Sequence, residues 1–162
     1  MKIEKEIYVI LDNVRSVHNV GSIFRTADAA GVSKIILCGY TPTPIDRFGR
    51  ARKDFAKTAL GAEKSVPWES EKDTYTAINK IKQLGFSVIG VEQAPDSIDY
   101  RKLKPTAKTA FVFGNETDGL SAEILKSCDL IAEIPMQGRK ESLNVSVAAG
   151  IVLFQNIFQS QS

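Results

Sequence analysis

The chain has 162 residues, enough to bury one substantial core and few for two, so one site is expected. Its 43% hydrophobic and 25% charged residues are ordinary for a globular protein and exclude disordered or collagen-like readings. Lys and Arg total 21 against 19 Asp and Glu, and a net charge of +2 does not by itself announce a nucleic-acid partner; only local clustering could.

The opening "MKIEKEIYVILD" is too charged and short for a signal peptide, and no apolar run approaches the roughly 18 residues of a membrane span, so a cytoplasmic protein without a membrane partner is expected. Residues 6–12 predict a first strand. Val20, Ile23, Phe24, Ala27 and Ala30 follow at helical spacing, Gly31 can end that helix in a left-handed turn, and His18, Gly21, Ser22 and Arg25 fall on the opposite stripe. A second strand fits 34–39, whereas 41–68 resists the alternation. A helix over 73–84 can be capped by Asp73 or Thr74, turns Ala77, Ile78, Ile81 and Leu84 inward, and stops at Gly85.

Further strands fit 86–91, 109–114 and 130–135, and Ser121 can cap a short helix over 121–128. The last helix runs from about Asn144 toward Gln159, with Val147, Ala148, Ile151, Val152 and Phe158 among its buried positions. Nearly continuous apolar strands alternating with helices predict an α/β fold with a parallel sheet flanked by helices. Cys38 and Cys128 lack CxxC spacing and read as buried free thiols.

Ligands of such sheets gather where the strands' carboxyl ends meet the following loops, and three loops are too polar or glycine-rich for mere connections. In "NVRSVHNVGSIFRTADAAG", Asn19, Gly21 and Arg25 combine an amide, a bare backbone and a planar cation able to grip a phosphate in two places; the plainer reading is a capping Asn19 and a solvated Arg25. "FVFGNETDGLS" sets Asn115, Glu116 and Asp118 between Gly114 and Gly119, where a simple turn with surface acids is the alternative. "IPMQGRKESLNVSVAAG" offers an apolar lid of Ile134, Pro135 and Met136, a hinge at Gly138 and a Ser-Leu-Asn entry; Ser142 and Asn144 could cap the helix, yet this is more than a cap requires.

Neither GxGxxG nor GxxxxGK[ST] occurs, and His18 is the only histidine, so standard dinucleotide, P-loop, Ser-His-Asp and zinc chemistry drop out. No metal site is expected.

In this order, covering nearly the whole chain, the three loops resemble the three motifs of the SpoU (TrmH-like) family within the SPOUT superfamily of RNA 2′-O-ribose methyltransferases, the third almost letter for letter. The resemblance implies a SPOUT α/β knot, in which a C-terminal deep trefoil knot threads the end of the chain, an exception to the rule that connections do not thread loops. Gly114, Gly119 and Gly138 would allow its tight bends, while Ala148, Ala149 and Gly150 would permit close approach to the knot or a partner subunit. It also implies a homodimer that transfers a methyl group from S-adenosylmethionine to a ribose 2′-hydroxyl of tRNA or rRNA, leaving S-adenosylhomocysteine.

By resemblance, Asn19, Arg25, Glu116, Ser142 and Asn144 do the catalytic work. A guanidinium with a pKa above about 12 is a poor base near neutrality, so Arg25 is read as holding a phosphate beside the target ribose, with Glu116 fixing Arg25 or Asn19. Gly114, Asn115, Ile134, Met136 and Leu143 are expected to enclose the cofactor, and Phe113 to belong to the core. In "DRFGRARKDFAKTALGAEK" the cations Arg47, Arg50, Arg52, Lys53 and Lys57, followed by Lys64, outnumber Asp46, Asp54 and Glu63, making it the best local RNA surface, an ordinary solvated loop being the plainer reading. Phe48, Phe55 and Trp68 could stack on bases, although Trp68 after Pro67 more often anchors a core or interface. With little sequence outside the outermost elements, a single domain over 1–162 without a separate RNA-binding extension is expected. A catalytically inactive knotted RNA-binding protein is the competing class, and another kind of nucleotide-binding α/β enzyme the third.

Overall fold

The computed structural model describes residues 4–104 and 106–159. Strands form at Glu6–Asp12 (β1), Lys34–Cys38 (β2), Trp68–Glu71 (β3), Ser87–Val91 (β4), Ile98–Asp99 (β5), Lys108–Phe113 (β6) and Leu130–Glu133 (β7). They build one seven-stranded sheet in the order β3-β2-β1-β6-β4-β7-β5, with every neighbouring pair parallel. Helices form at Val17–Ala30 (α1), Lys53–Ala59 (α2), Ala62–Ser65 (α3), Thr74–Gln83 (α4), Ala122–Ser127 (α5) and Val145–Gln159 (α6).

The apolar runs are continuous because the central strands are covered on both faces. Side chains alternate along each strand, so Val9, Leu11, Ile35, Leu37, Phe111 and Phe113 pack toward α1, α2, α3 and α6. Ile10, Ile36, Cys38, Ala110 and Val112 pack on the other face, toward Ala77, Ile78 and Ile81 of α4 and Ile124 of α5. The sheet is thus the middle of three layers.

The helix ends follow local chemistry. Ser16 caps α1, its side chain accepting the Asn19 N–H at 3.1 Å, so the cap expected of Asn19 falls one turn earlier. Gly31 ends that helix in a left-handed turn at φ +73°, as its sequence position indicated. Asp73 and Ser121 cap α4 and α5 by accepting the N–H groups of Thr76 and Ile124.

Several faces differ from expectation. Gly21 is buried rather than on an outer stripe: α2 crosses it so closely that a β-carbon would run into Thr58. Leu84 is exposed, since it is the C-cap of α4 and has left the packed stripe. In α6 the buried row is Val145, Ala149, Val152, Leu153 and Asn156. Of the five positions expected there only Val152 is buried; Ala148 and Ile151 are half-buried, and Val147 and Phe158 are 49% and 65% exposed. A helix apolar nearly all round has no period from which to choose its inner face, and packing on α1 decides it.

The stretch that resisted alternation folds into α2, α3 and β3. Phe55, expected as a possible base-stacking residue, is instead fully buried, its ring edge-on to Phe24 at a centroid distance of 5.1 Å. Trp68 is half-buried and packs against the same core. Strands β3 and β5 went unanticipated, the first because "WESE" is polar and the second because it has two residues. Cys38 is fully buried, which pushes its thiol up to about 12 despite a hydrogen bond with Thr74; the half-buried Cys128 rises to about 11, again through burial. Among the described residues no helix is long and apolar enough to cross a membrane.

Two outcomes follow from this packing. Phe55→Ala should lower unfolding free energy by about 3–5 kcal/mol, read from denaturant titration, because the ring's space cannot collapse between α1 and α2. At pH 8 both cysteines stay protonated in the native protein, so a disulfide exchange reagent should react slowly until denaturant is added and then titrate both.

Candidate functional site

Because the strands run parallel, the carboxyl ends of β1, β6, β4 and β7 open on one edge, and the loops after them meet there. The loops after β6, β4 and β7 enclose a cavity of about 490 Å³, within the range of roughly 300–1,000 Å³ common for small-molecule sites. Gly114, Asn115, Ile134, Met136 and Leu143, all expected around a cofactor, line it together, as do Glu116, Ser142 and Asn144. Phe113 is buried as expected and also reaches the cavity wall.

The loop after β6 is tightly folded on itself. A β-carbon on Gly114 would lie 2.5 Å from the carbonyl carbon of Gly119, and Gly119 has φ +65°, so both positions require glycine. Asn115 is 8% exposed and its side chain is fully engaged within the protein. Its amide donates to the Asn13 carbonyl and the Tyr40 hydroxyl, both at 3.0 Å, while its oxygen accepts from Thr117 and Asp118 N–H at 2.7 and 3.2 Å. A ligand therefore meets the backbone of this loop rather than the Asn115 amide. No comparable crowding occurs at Gly138, where nothing lies within 4 Å of an added β-carbon, nor at Gly150, which meets only Thr26 at an ordinary 3.7 Å.

Glu116 joins the first loop to the second. Its carboxylate accepts the N–H groups of Arg15 and Ser16 and the Asn19 side-chain amide, each at 3.1 Å. Burial works to raise its carboxyl, but its own backbone N–H, Asn19 and the two amides outweigh that and hold it below the ordinary 4.5. Asn19 then turns its oxygen to Asn144, whose amide donates at 3.1 Å. Asn144 also starts α6, its side-chain oxygen accepting Ser146 N–H at 2.8 Å. Glu116, Asn19 and Asn144 thus form one relay across all three loops, and Glu116 contacts Asn19 rather than Arg25.

Arg25 lies elsewhere. It is exposed and lines a separate hollow of about 530 Å³ with His18, Lys57, Leu60 and Phe154, between α1, α2 and α6. Of the basic stretch, Arg47, Arg50, Lys53 and Lys57 are exposed, while Arg50 pairs with Asp46 at 3.2 Å and the half-buried Arg52 with Asp54 at 2.7 Å.

Glu92 and Gln93 were missed by sequence reasoning. Glu92 accepts the N–H groups of Leu120 at 3.0 Å and Gln93 at 2.9 Å, and the Gln93 amide donates to the Glu141 carbonyl at 2.5 Å, closing the rim between the loops after β4 and β7. Their position just after the strand at 86–91 was the available signal, since carboxyl ends of parallel strands carry ligands.

The profile of the SpoU rRNA Methylase family matches residues 6–154. The chain is 35% identical over 150 residues to the 23S rRNA (guanosine-2′-O-)-methyltransferase RlmB of Neisseria meningitidis, covering 93% of this chain and 57% of that protein. To the RlmB of Nitrosomonas europaea it is 36% identical over 157 residues, covering 96% and 57%. It thus spans little more than half the length of these relatives. Among solved structures, an AdoMet-bound rRNA methyltransferase from Sinorhizobium meliloti superposes with a TM-score of 0.85 at 36% identity, covering 94% of this chain and 56% of that one. The A. aeolicus TrmH/SpoU tRNA modifying enzyme gives 0.83 at 31% identity, covering 98% and 79%.

Gly114→Ala must push the 114–120 loop apart, so the variant should bind more weakly, by calorimetry, any small molecule that the parent holds in this cavity while keeping its far-ultraviolet circular dichroism. Glu116 has a depressed carboxyl, so its contribution to stability is present in full well above pH 4.5 and is lost as pH falls through the lower folded value. Glu116→Gln should therefore melt below the parent at pH 7, and the gap in Tm should narrow as both are acidified below pH 4.

Proposed function

The chain belongs to the SpoU rRNA Methylase family, and we propose that it transfers the methyl group of S-adenosylmethionine to a ribose 2′-hydroxyl of tRNA or rRNA. The observation that carries this reading is one cavity walled by the loops after β6 and β7, with the loop after β1 tied to two of its lining residues, Glu116 and Asn144, through Asn19. The names of similar proteins, a guanosine-2′-O-methyltransferase of 23S rRNA and an AdoMet-bound rRNA methyltransferase, support it.

The cavity suits the cofactor. Ile134, Met136 and Leu143 offer apolar walls for an adenine ring, and the bare backbone at Gly114 lets a nucleoside approach main-chain donors and acceptors. When bound, S-adenosylmethionine supplies a methyl carbon on a positively charged sulfur that is already a good leaving group. The protein's task is then alignment, and such orientation can supply roughly 7–11 kcal/mol. Asn19 and Asn144 hold the loop that carries Ser142 against the cavity, and Glu116 fixes Asn19. Arg25 grips the phosphate beside the target ribose through two N–H groups and hydrogen-bonds the hydroxyl, a geometry lysine cannot copy.

Arg25 sits outside the cavity of its own chain, and we propose that a second copy brings it there. The exposed Val147 and Phe158 of α6 give this pairing an apolar face, and Leu60 beside Arg25 extends it. The active form is a homodimer acting in the cytoplasm, each chain folded as a single SPOUT domain whose C-terminal end is threaded into a trefoil knot. The return of α6 from edge-side β7 to pack on α1 supports that threading. Arg47, Arg50, Arg52, Lys53 and Lys57 form the surface that meets the RNA backbone.

Calorimetry should detect S-adenosylmethionine binding, and labelled-methyl transfer to total tRNA and rRNA, followed by mapping of the 2′-O-methyl group, identifies the target. A protein that binds both ligands without transfer would be an inactive RNA-binding relative instead. Arg25→Lys should lower kcat on the order of 100-fold with cofactor affinity retained. Mixing inactive Arg25→Ala and Asn144→Ala chains should restore part of the activity, since one mixed site regains both groups; no recovery would show that Arg25 serves its own chain.

A further inference from the structure

Between β2 and α2 the chain holds a large apolar ring out in water: Phe48 is 66% exposed. The loop that presents it is closed. Ile45 and Ala51 form an antiparallel bridge, Asp46 N–H donates to the Arg50 carbonyl at 2.8 Å, and Gly49 N–H donates to the Asp46 carbonyl at 3.0 Å. Inside the turn the Asp46 carboxylate accepts Phe48 N–H at 2.8 Å, Arg50 N–H at 3.0 Å and Arg50 Nε at 3.2 Å. These bonds, the Arg50 amide foremost, keep the carboxyl below its ordinary value, so it stays ionised near neutrality. A segment with this much internal bonding has already lost the backbone freedom that binding would otherwise cost.

The guanidinium carbons of Arg47 and Arg50 lie 4.8 and 5.0 Å from the centre of the Phe48 ring. Among the described residues Arg47 pairs with no carboxylate, and Arg50 shares Asp46 while its side chain remains 72% exposed. Arg47 can turn outward to a phosphate without leaving the ring's vicinity, and Arg50, held by Asp46 through Nε, stays largely open to solvent. An aromatic face flanked by planar cations matches a nucleotide, with its flat base and adjoining phosphates.

We propose that residues 45–51 are a preorganised reader of unpaired RNA, with Phe48 stacking on an exposed base and Arg47 and Arg50 holding the phosphates on either side. This rests on the reading that the chain acts on RNA and deepens it, assigning a single-stranded or looped region as the substrate class. In a continuous duplex each base is covered above and below and the deep groove is too narrow for side chains. Only an unpaired nucleotide offers Phe48 a free face. Phe55 is buried and Trp68 packs on the core, so neither competes for this role.

The test compares the unaltered protein with Phe48→Ala, Phe48→Tyr and Arg47→Ala/Arg50→Ala for binding a short labelled single-stranded oligouridylate and a blunt RNA duplex by fluorescence anisotropy. A 5-iodouridine version of the single strand is photocross-linked in parallel. Phe48→Ala should weaken single-strand binding about tenfold and leave duplex binding unchanged, Phe48→Tyr should restore it, and the cross-link should map to Phe48. Unchanged single-strand affinity in Phe48→Ala, or equal loss for both RNAs, overturns the proposal. So does a fall in sedimentation coefficient of Phe48→Ala with affinity intact, which would make the ring a protein contact. If the arginine double variant loses RNA affinity and Phe48→Ala does not, the reader fails while the RNA reading stands; if the unaltered protein binds neither RNA, both fail.

Discussion

The start of a helix leaves several backbone N–H groups without partners inside the helix, and at the lead-in to α1 the partner comes from far along the chain. Glu116, about a hundred positions away, accepts the Arg15 and Ser16 N–H groups together with the Asn19 amide. A carboxylate is well placed there, since the helix start carries partial positive charge. These three bonds dock the loop after β6 onto the loop after β1, and through Asn19 and Asn144 they also set where α6 begins. The cavity beside this connection is closed further by Glu92, which accepts the Leu120 N–H, and by Gln93, which donates to the Glu141 carbonyl.

Helix geometry separates two kinds of polar residue on α1. Asn19 and Arg25 are six positions apart, and at about 100° per residue they point roughly 120° away from each other. A side chain committed to the relay with Glu116 cannot share its direction with Arg25, which accordingly faces the hollow beside Lys57 and Phe154. The separation divides α1 between tying loops together within the chain and presenting a cation outward.

Much of this was legible in the sequence for physical reasons that differ by element. The five apolar runs announced parallel strands, buried in all but β7, and Ser121, Asp73 and Gly31 marked helix ends because their chemistry is local. Gly114, Met136 and Leu143 share a cavity because the loops that carry them follow parallel strands, as the sheet pattern required. What escaped depends on contacts across the fold. The apolar surface of α6 does not say which side is inner, Phe55 looks solvent-facing inside a charged run, and Gly21 gains its purpose only when α2 arrives. Glu92 went unnoticed because its value lies in holding the N–H of Leu120, 28 positions further along the chain.

The two outer strands carry a consequence for how copies of the chain can associate. On β3 the exposed pair Glu69 and Ser70 and the Lys34–Glu69 contact at 3.7 Å put charge along one border, while β5 offers only Ile98 and Asp99 at the other. Short, charged borders give a neighbouring ribbon little main chain to hydrogen-bond, so the sheet cannot grow sideways from molecule to molecule. Any association of copies is left to helical surfaces, where a two-fold pairing would use up its own patch and end, instead of propagating as a fibre.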